Sequence, residues 1–132
     1  MMEQKSSARP LSPHLQIYKP MLTMVMSIMH RITGVGLYFG IILLMWWLTA
    51  ASISDSYFDF VQGFFGHWFG RLLLFGFTWS LMHHALGGLR HLLWDTGRGF
   101  DLKVVEWLAR ANLAGSIVLT FLLWIIGYGV MP

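Results

Sequence analysis

Three long stretches of this chain lack the apolar–polar alternation of an element that turns one face to water. Ile32–Ala51 carries no charge, Leu72–Leu89 carries only histidines, and Leu113–Met131 is again uncharged. Each is long enough, or nearly so, to cross a hydrocarbon core of about 30 Å. Helix signals extend them to about 22–51, 67–94 and 103–129. The predicted fold is all-α, an integral membrane bundle of three transmembrane helices over residues 22–132. Residues 1–21, punctuated by Pro10, Pro13 and Pro20, read as an N-terminal arm on the water side. Ser52–Gly66 reads as a loop. Gly97 suits a helix C-cap, Asp101 an N-cap, and Glu106 the first turn that follows.

Composition agrees. Of 132 residues, 56% are hydrophobic and 11% charged, too apolar for an ordinary soluble domain. The absence of cysteine excludes disulfides, thiolate metal sites and thiol catalysis. The net charge of +3 is no nucleic-acid signal, because the cations sit at helix ends. Eight of the nine lie on the arm, at the start of the first helix or around the second turnaround; Arg71 is the exception. The positive-inside rule then places the N-terminus in the cytoplasm and the C-terminus outside. The first residues have no apolar core of their own, so they do not read as a secretory signal peptide.

The unusual chemistry lies in LMHHALGGLRHLLWDTG, residues 81–97. Ionisable groups inside a membrane helix are costly and mark function by default. At 3.6 residues per turn, His84, Gly88, His91 and Asp95 share one face, and His83, Gly87 and Arg90 the next. An imidazole with a glycine one turn away suits a flat group lying against the backbone. His91 stands about 10 Å further along. A haem needs such a layout, with an axial imidazole at its centre and polar groups at its propionate edge. The pattern also fits a polar pair buried between helices, and spacing does not choose between His83 and His84.

A second polar face opens the first helix. Ser27, His30, Arg31 and Gly34 fall at i, i+3, i+4 and i+7, with Thr23 one turn earlier. It could bind an anionic or carbonyl-bearing ligand; equally, Arg31 could snorkel to lipid headgroups and Ser27 bond to its own helix. The first helix starts, and the second ends, on the inner side, so the two polar stretches would meet there.

RPLSPHLQIYKP followed by SIMHRITG resembles the N-terminal signature of the cytochrome b subunit of succinate dehydrogenase, the membrane anchor of respiratory complex II. HALGGLRHLLWD resembles that family's second signature, and the likeness spans nearly the whole chain. The resemblance implies a membrane anchor that binds haem b and ubiquinone and passes electrons from the iron–sulfur subunit to ubiquinone. It implies His84 as the axial haem ligand, Ser27 and Arg31 at the quinone, and His30, Arg31 and His91 near the haem propionates. His83 has no place in the pattern. The implied partners are a flavoprotein subunit, an iron–sulfur subunit and a second small membrane anchor. The third helix offers no histidine and His67 is at the wrong end of the second. The haem's other ligand must therefore come from another chain. The arm sequence is similar to alphaproteobacterial and mitochondrial members, and the short N-terminus favours a bacterial inner membrane over a mitochondrial one.

Two competing readings are a haem-free structural anchor, which would not need His84, and a small transporter or assembly protein whose histidines relay protons. The second would place ionisable groups along the whole membrane depth. Here they stop halfway.

Overall fold

The structure, a computed structural model, describes residues 18–130. It contains four helices: α1 (Leu22–Ile53), α2 (Asp55–Gly66), α3 (Trp68–Asp95) and α4 (Leu102–Val130). α1, α3 and α4, of 32, 28 and 29 residues, are each long and apolar enough to cross a membrane. Most of the N-terminal arm expected over residues 1–21 lies outside the described residues.

The segment expected to be a loop contains α2, and the correction has a local cause. Ser54 is extended and ends α1; its hydroxyl accepts from the Tyr57 N–H at 3.3 Å and starts α2. Tyr57, Val61 and Phe65, one turn apart, put one face of α2 against α1, where Val61 and Phe65 join Ala50 in a buried cluster flanked by Trp46 and Trp47. Trp46 donates to the Tyr57 hydroxyl at 2.8 Å and Trp47 to Gln62 Oε1 at 3.1 Å. Gly63 and Gly66, which suggested a loop, lie in the helix itself, with nothing near where their side chains would be. His67 makes a second one-residue corner into α3, capping it through Nδ1 to the Phe69 N–H at 3.5 Å. Gly70 takes this corner's close approach, because a methyl there would strike the Phe64 carbonyl.

The second turnaround follows the expected signals. Gly97 adopts φ 75°, and its N–H reaches the Trp94 carbonyl at 2.8 Å. Asp101 accepts from the Lys103 N–H at 2.9 Å to cap α4, and Glu106 pairs with Arg110 one turn on.

α3 is central, packing against α1, α2 and α4. The bundle is apolar outside and small or polar within. α4 buries Ala109, Asn112, Ser116 and Thr120, α1 buries Met26, Thr33, Gly40 and Ala50, and α3 buries Gly70, His83, Gly87 and Arg90. Large side chains such as Ile32, Phe39, Leu89 and Ile125 face outward. In lipid there is little gain from hiding them, and helices associate through close approach and interhelical hydrogen bonds. Thr78 Oγ1, for example, accepts from Trp124 Nε1 at 3.2 Å.

Gly40 tests this close packing, since the Phe77 ring fills the place of its missing side chain. Gly40→Val should lower the thermal stability of the detergent-solubilised protein by about 1–3 kcal/mol, the usual cost of overpacking. Gly76→Ala, with nothing near it, should change stability by no more than about 1 kcal/mol. Equal melting temperatures for the parent and Gly40→Val would disprove the contact.

Candidate functional site

His30 is the joint of the site. Its ring stacks on His84 with centroids 3.9 Å apart and planes 8° apart, and lies 5.0 Å from the ring of His91. His30 of α1 thus reaches both α3 histidines from the Gly87 side. Gly34 lets the helices close there, since a methyl on it would lie 3.0 Å from His84 Cε1.

The backbone fixes the tautomer of His84. Nδ1 lies 3.1 Å from the His30 carbonyl oxygen, which only accepts, so Nδ1 carries the proton. Thr33 Oγ1 sits 3.4 Å away and has its own proton engaged with the Met29 carbonyl at 2.8 Å. Nε2 keeps its lone pair, has no partner among the described residues and reaches the chain's surface. A metal-binding histidine is oriented in this way, with one nitrogen tied to a carbonyl and the other presented. His91 donates from Nδ1 to the Gly87 carbonyl at 2.7 Å and is itself exposed.

His83, adjacent in sequence, has a different environment. It is 1% exposed and faces α4. Its Nδ1 lies 3.3 Å from Asn112 Nδ2 and 3.4 Å from Ser116 Oγ, while the Trp79 ring lies against it. The amide nitrogen can only donate, so His83 Nδ1 accepts from Asn112, while the Ser116 hydroxyl beside it has its own proton engaged with the Leu113 carbonyl at 2.9 Å. This imidazole is an interhelical tie with no access to a large ligand.

The two glycines also differ. A methyl on Gly87 would collide with His30, whereas one on Gly88 would meet nothing within 4 Å among the described residues. Gly88 shares its face with His84 and His91, and that face is open. Among the described residues no three side chains converge into a self-contained metal site. The open face and the oriented His84 leave room for a flat group against α3.

Ser27 and Arg31 are exposed on the flank of α1, and neither contributes a hydrogen bond or ion pair among the described residues. The structure unites His30, His84 and His91; it leaves Ser27 and Arg31 beside them, facing outward. Two further residues of this region, Thr33 and Asn112, were not picked out from sequence, and Arg90 of the polar stretch lies there too. Thr33 and Asn112 are buried and touch the histidines, and Arg90, 7% exposed, lies with its guanidinium 5.1 Å from the Trp94 ring. Only Arg90 carried a signal, as a cation within an apolar run.

Comparison with known proteins gives consistent relatives. The family profile described as succinate dehydrogenase/fumarate reductase transmembrane subunit matches residues 5–125. The chain is 44% identical over 118 residues to the succinate dehydrogenase cytochrome b556 subunit of Paracoccus denitrificans, covering 89% of this chain and 91% of that one. It is 39% identical over 117 residues to the same-named subunit of Rickettsia prowazekii, with 89% and 91% covered. The mitochondrial succinate dehydrogenase cytochrome b560 subunit of Mus musculus is 42% identical over 122 residues, or 87% of this chain and 69% of that one.

The division between the two histidines is testable without any ligand. His83→Leu leaves the Asn112 amide without its ring partner, and an unsatisfied buried polar group costs about 1–3 kcal/mol. Thermal stability should fall by that order. His84→Leu removes a side chain bonded only to α1 and should lower stability less. The opposite ranking would mean that His84, and not His83, ties the helices together.

Proposed function

The chain belongs to the family of succinate dehydrogenase/fumarate reductase transmembrane subunits, and we propose that it is the haem b- and ubiquinone-binding anchor of a succinate dehydrogenase. In this reading it works in the tricarboxylic acid cycle and respiratory chain of a bacterium, in the inner membrane. Succinate is oxidised on a flavoprotein subunit, electrons cross an iron–sulfur subunit, and ubiquinone accepts two electrons and two protons at the membrane face. The chain contributes to the quinone site and not to succinate oxidation.

The observation that carries the reading is the His84 imidazole, with Nδ1 tied to the His30 carbonyl and Nε2 presented to an open face. That nitrogen is suited to be the axial ligand of haem b. The second ligand is a histidine of the partner anchor, the other small membrane chain of the complex. His30, whose ring stacks on His84, His91 beside it and Arg31 next to it in sequence would meet the propionates. Gly88 leaves room for the macrocycle against α3. When bound, the haem supplies a one-electron carrier beside the quinone.

Ser27 and Arg31 act on the quinone. The Ser27 hydroxyl donates to a quinone carbonyl and holds the ring in register. The Arg31 guanidinium faces the negative charge that develops on the oxygen during reduction, and a fixed cation in a low-dielectric site stabilises that charge strongly. Their exposure within this chain is what a site completed by other subunits requires.

The decisive experiment is an optical and EPR spectrum of the assembled complex. His84→Leu should abolish or strongly disturb the low-spin haem signal, and His83→Leu should leave it nearly intact. A full signal in His84→Leu would reject the ligand assignment, and a parental complex without haem would favour the haem-free anchor. In haem-replete complexes, Ser27→Ala should weaken quinone reduction by the roughly 0.5–1.5 kcal/mol of a neutral hydrogen bond. Arg31→Leu should weaken it by about 1.5–3 kcal/mol, the range for a charged one. Electron transfer from succinate to an acceptor upstream of the quinone should be unchanged. Parental quinone kinetics in both variants would move the quinone site to another chain.

The orientation follows from the cation distribution, with the N-terminus and the histidine cluster on the cytoplasmic side. Alkaline phosphatase fused after Pro132 should be active, and fused at Gly99 inactive. The reverse pattern would place the proposed quinone site on the wrong face for electron delivery.

A further inference from the structure

Three buried side-chain atoms have no hydrogen-bond partner among the described residues: His30 Nδ1, Asn112 Oδ1 and Arg90 Nε. The first two meet at one place. A methyl on Gly87 would lie 2.5 Å from His30 Nδ1 and 3.6 Å from Asn112 Oδ1. Gly87 is thus a notch in α3 through which a side chain of α1 and a side chain of α4 come near each other. Asn112 is 5% exposed, so its position is set by packing and not by solvent.

The orientation of the amide is also set. Asn112 Nδ2 lies 3.4 Å from the His83 carbonyl and 3.3 Å from His83 Nδ1, the latter an acceptor. Reversing the amide would bring two carbonyl oxygens together. The nitrogen end therefore belongs to His83, and the oxygen end turns to the notch. Across it stands the interior nitrogen of a ring whose tautomer no other contact among the described residues determines. An acceptor and a ring N–H left apart in a membrane interior are both costly, and each is what the other lacks.

We propose that Asn112 is a positioning residue for His30. Its side-chain carbonyl accepts the His30 Nδ1 proton across the Gly87 notch through one bridging water, and so sets the plane in which His30 stacks on His84. The third span is then more than a lipid-facing strut. Through Asn112 it fixes a ring at the centre of the site, and Gly87 is the gap that permits this. The consequence for haem rests on the reading of His84 given above; the hydrogen bond itself does not.

The test separates the two. The complex is labelled with ¹⁵N-histidine, reduced with dithionite, and the His30 resonances are assigned by comparison with His30→Ala. The parent should show His30 protonated at Nδ1. Asn112→Leu, or Asn112→Ala if the leucine variant does not assemble, should lose that tautomer; Ser116→Ala, which touches only the His83 side, should keep it. In oxidised, haem-replete complexes, Asn112→Leu should shift the low-spin EPR signal in the same direction as His30→Ala. Adding it to His30→Ala should cause no further shift, because Asn112 acts through His30. A His30 tautomer unchanged in Asn112→Leu, or fully additive shifts in the double variant, would overturn the proposal. A full haem signal in His84→Leu together with the expected tautomer change would reject the ligand assignment and leave the Asn112–His30 contact standing.

Discussion

A polar side chain in a hydrocarbon slab has no water to turn to, so it must find a partner in the protein. In this chain that constraint divides the polar groups into two sets. His83, Asn112, Ser116, Thr33 and Thr120 are buried and bonded between or along the helices. Ser27, Arg31, His91 and the Nε2 of His84 face outward on one end of the bundle. The first set builds the bundle. The second has no such task within it, which is why that end reads as the place for ligands and for a second anchor chain.

Close approach makes the first set possible. Hydrophobic burial adds little between helices already surrounded by lipid, so contact area and interhelical bonds carry the packing. Gly40 admits the Phe77 ring, Gly34 admits the edge of His84, and Gly87 admits His30. Larger residues at these points would hold α1 away from α3, and His30 could not reach His84 and His91. The same geometry that packs the helices therefore brings together two α3 histidines separated by two turns.

The three spans, their caps and the faces of the polar stretches were legible in the chain, because apolar run length, glycine and helical phase are local properties. α2 was missed although Ser54 and the Tyr57, Val61, Phe65 spacing announce an amphipathic helix. The two glycines and the shortness of the segment spoke against it, and its stability comes from Trp46 and Trp47 on another element. The choice between His83 and His84 was not local either. Neighbours on a helix differ by about 100° in direction, and which direction is closed depends on Asn112 and Ser116, far along the chain. Thr33 and Asn112 gave no signal for a related reason, since a lone hydroxyl or amide in an apolar run acquires meaning only from what stands opposite.

These two sets account for the chain's division of labour. A group satisfied inside the bundle can be rigid before any partner arrives, and His84 gains its tautomer and ring direction from α1 alone. A group left open must be completed from outside. If the interior ties were weak, assembly with the partner anchor would have to create the ligand geometry as well as the contact. In the proposed reading, with His84 already tied by its Nδ1 and His83 withdrawn from competition by α4, a partner would have only to bring its own ligand and close the open face. The bundle thus separates two adjacent histidines by its own hydrogen bonds, one turned into the helix interface and one turned to the open face.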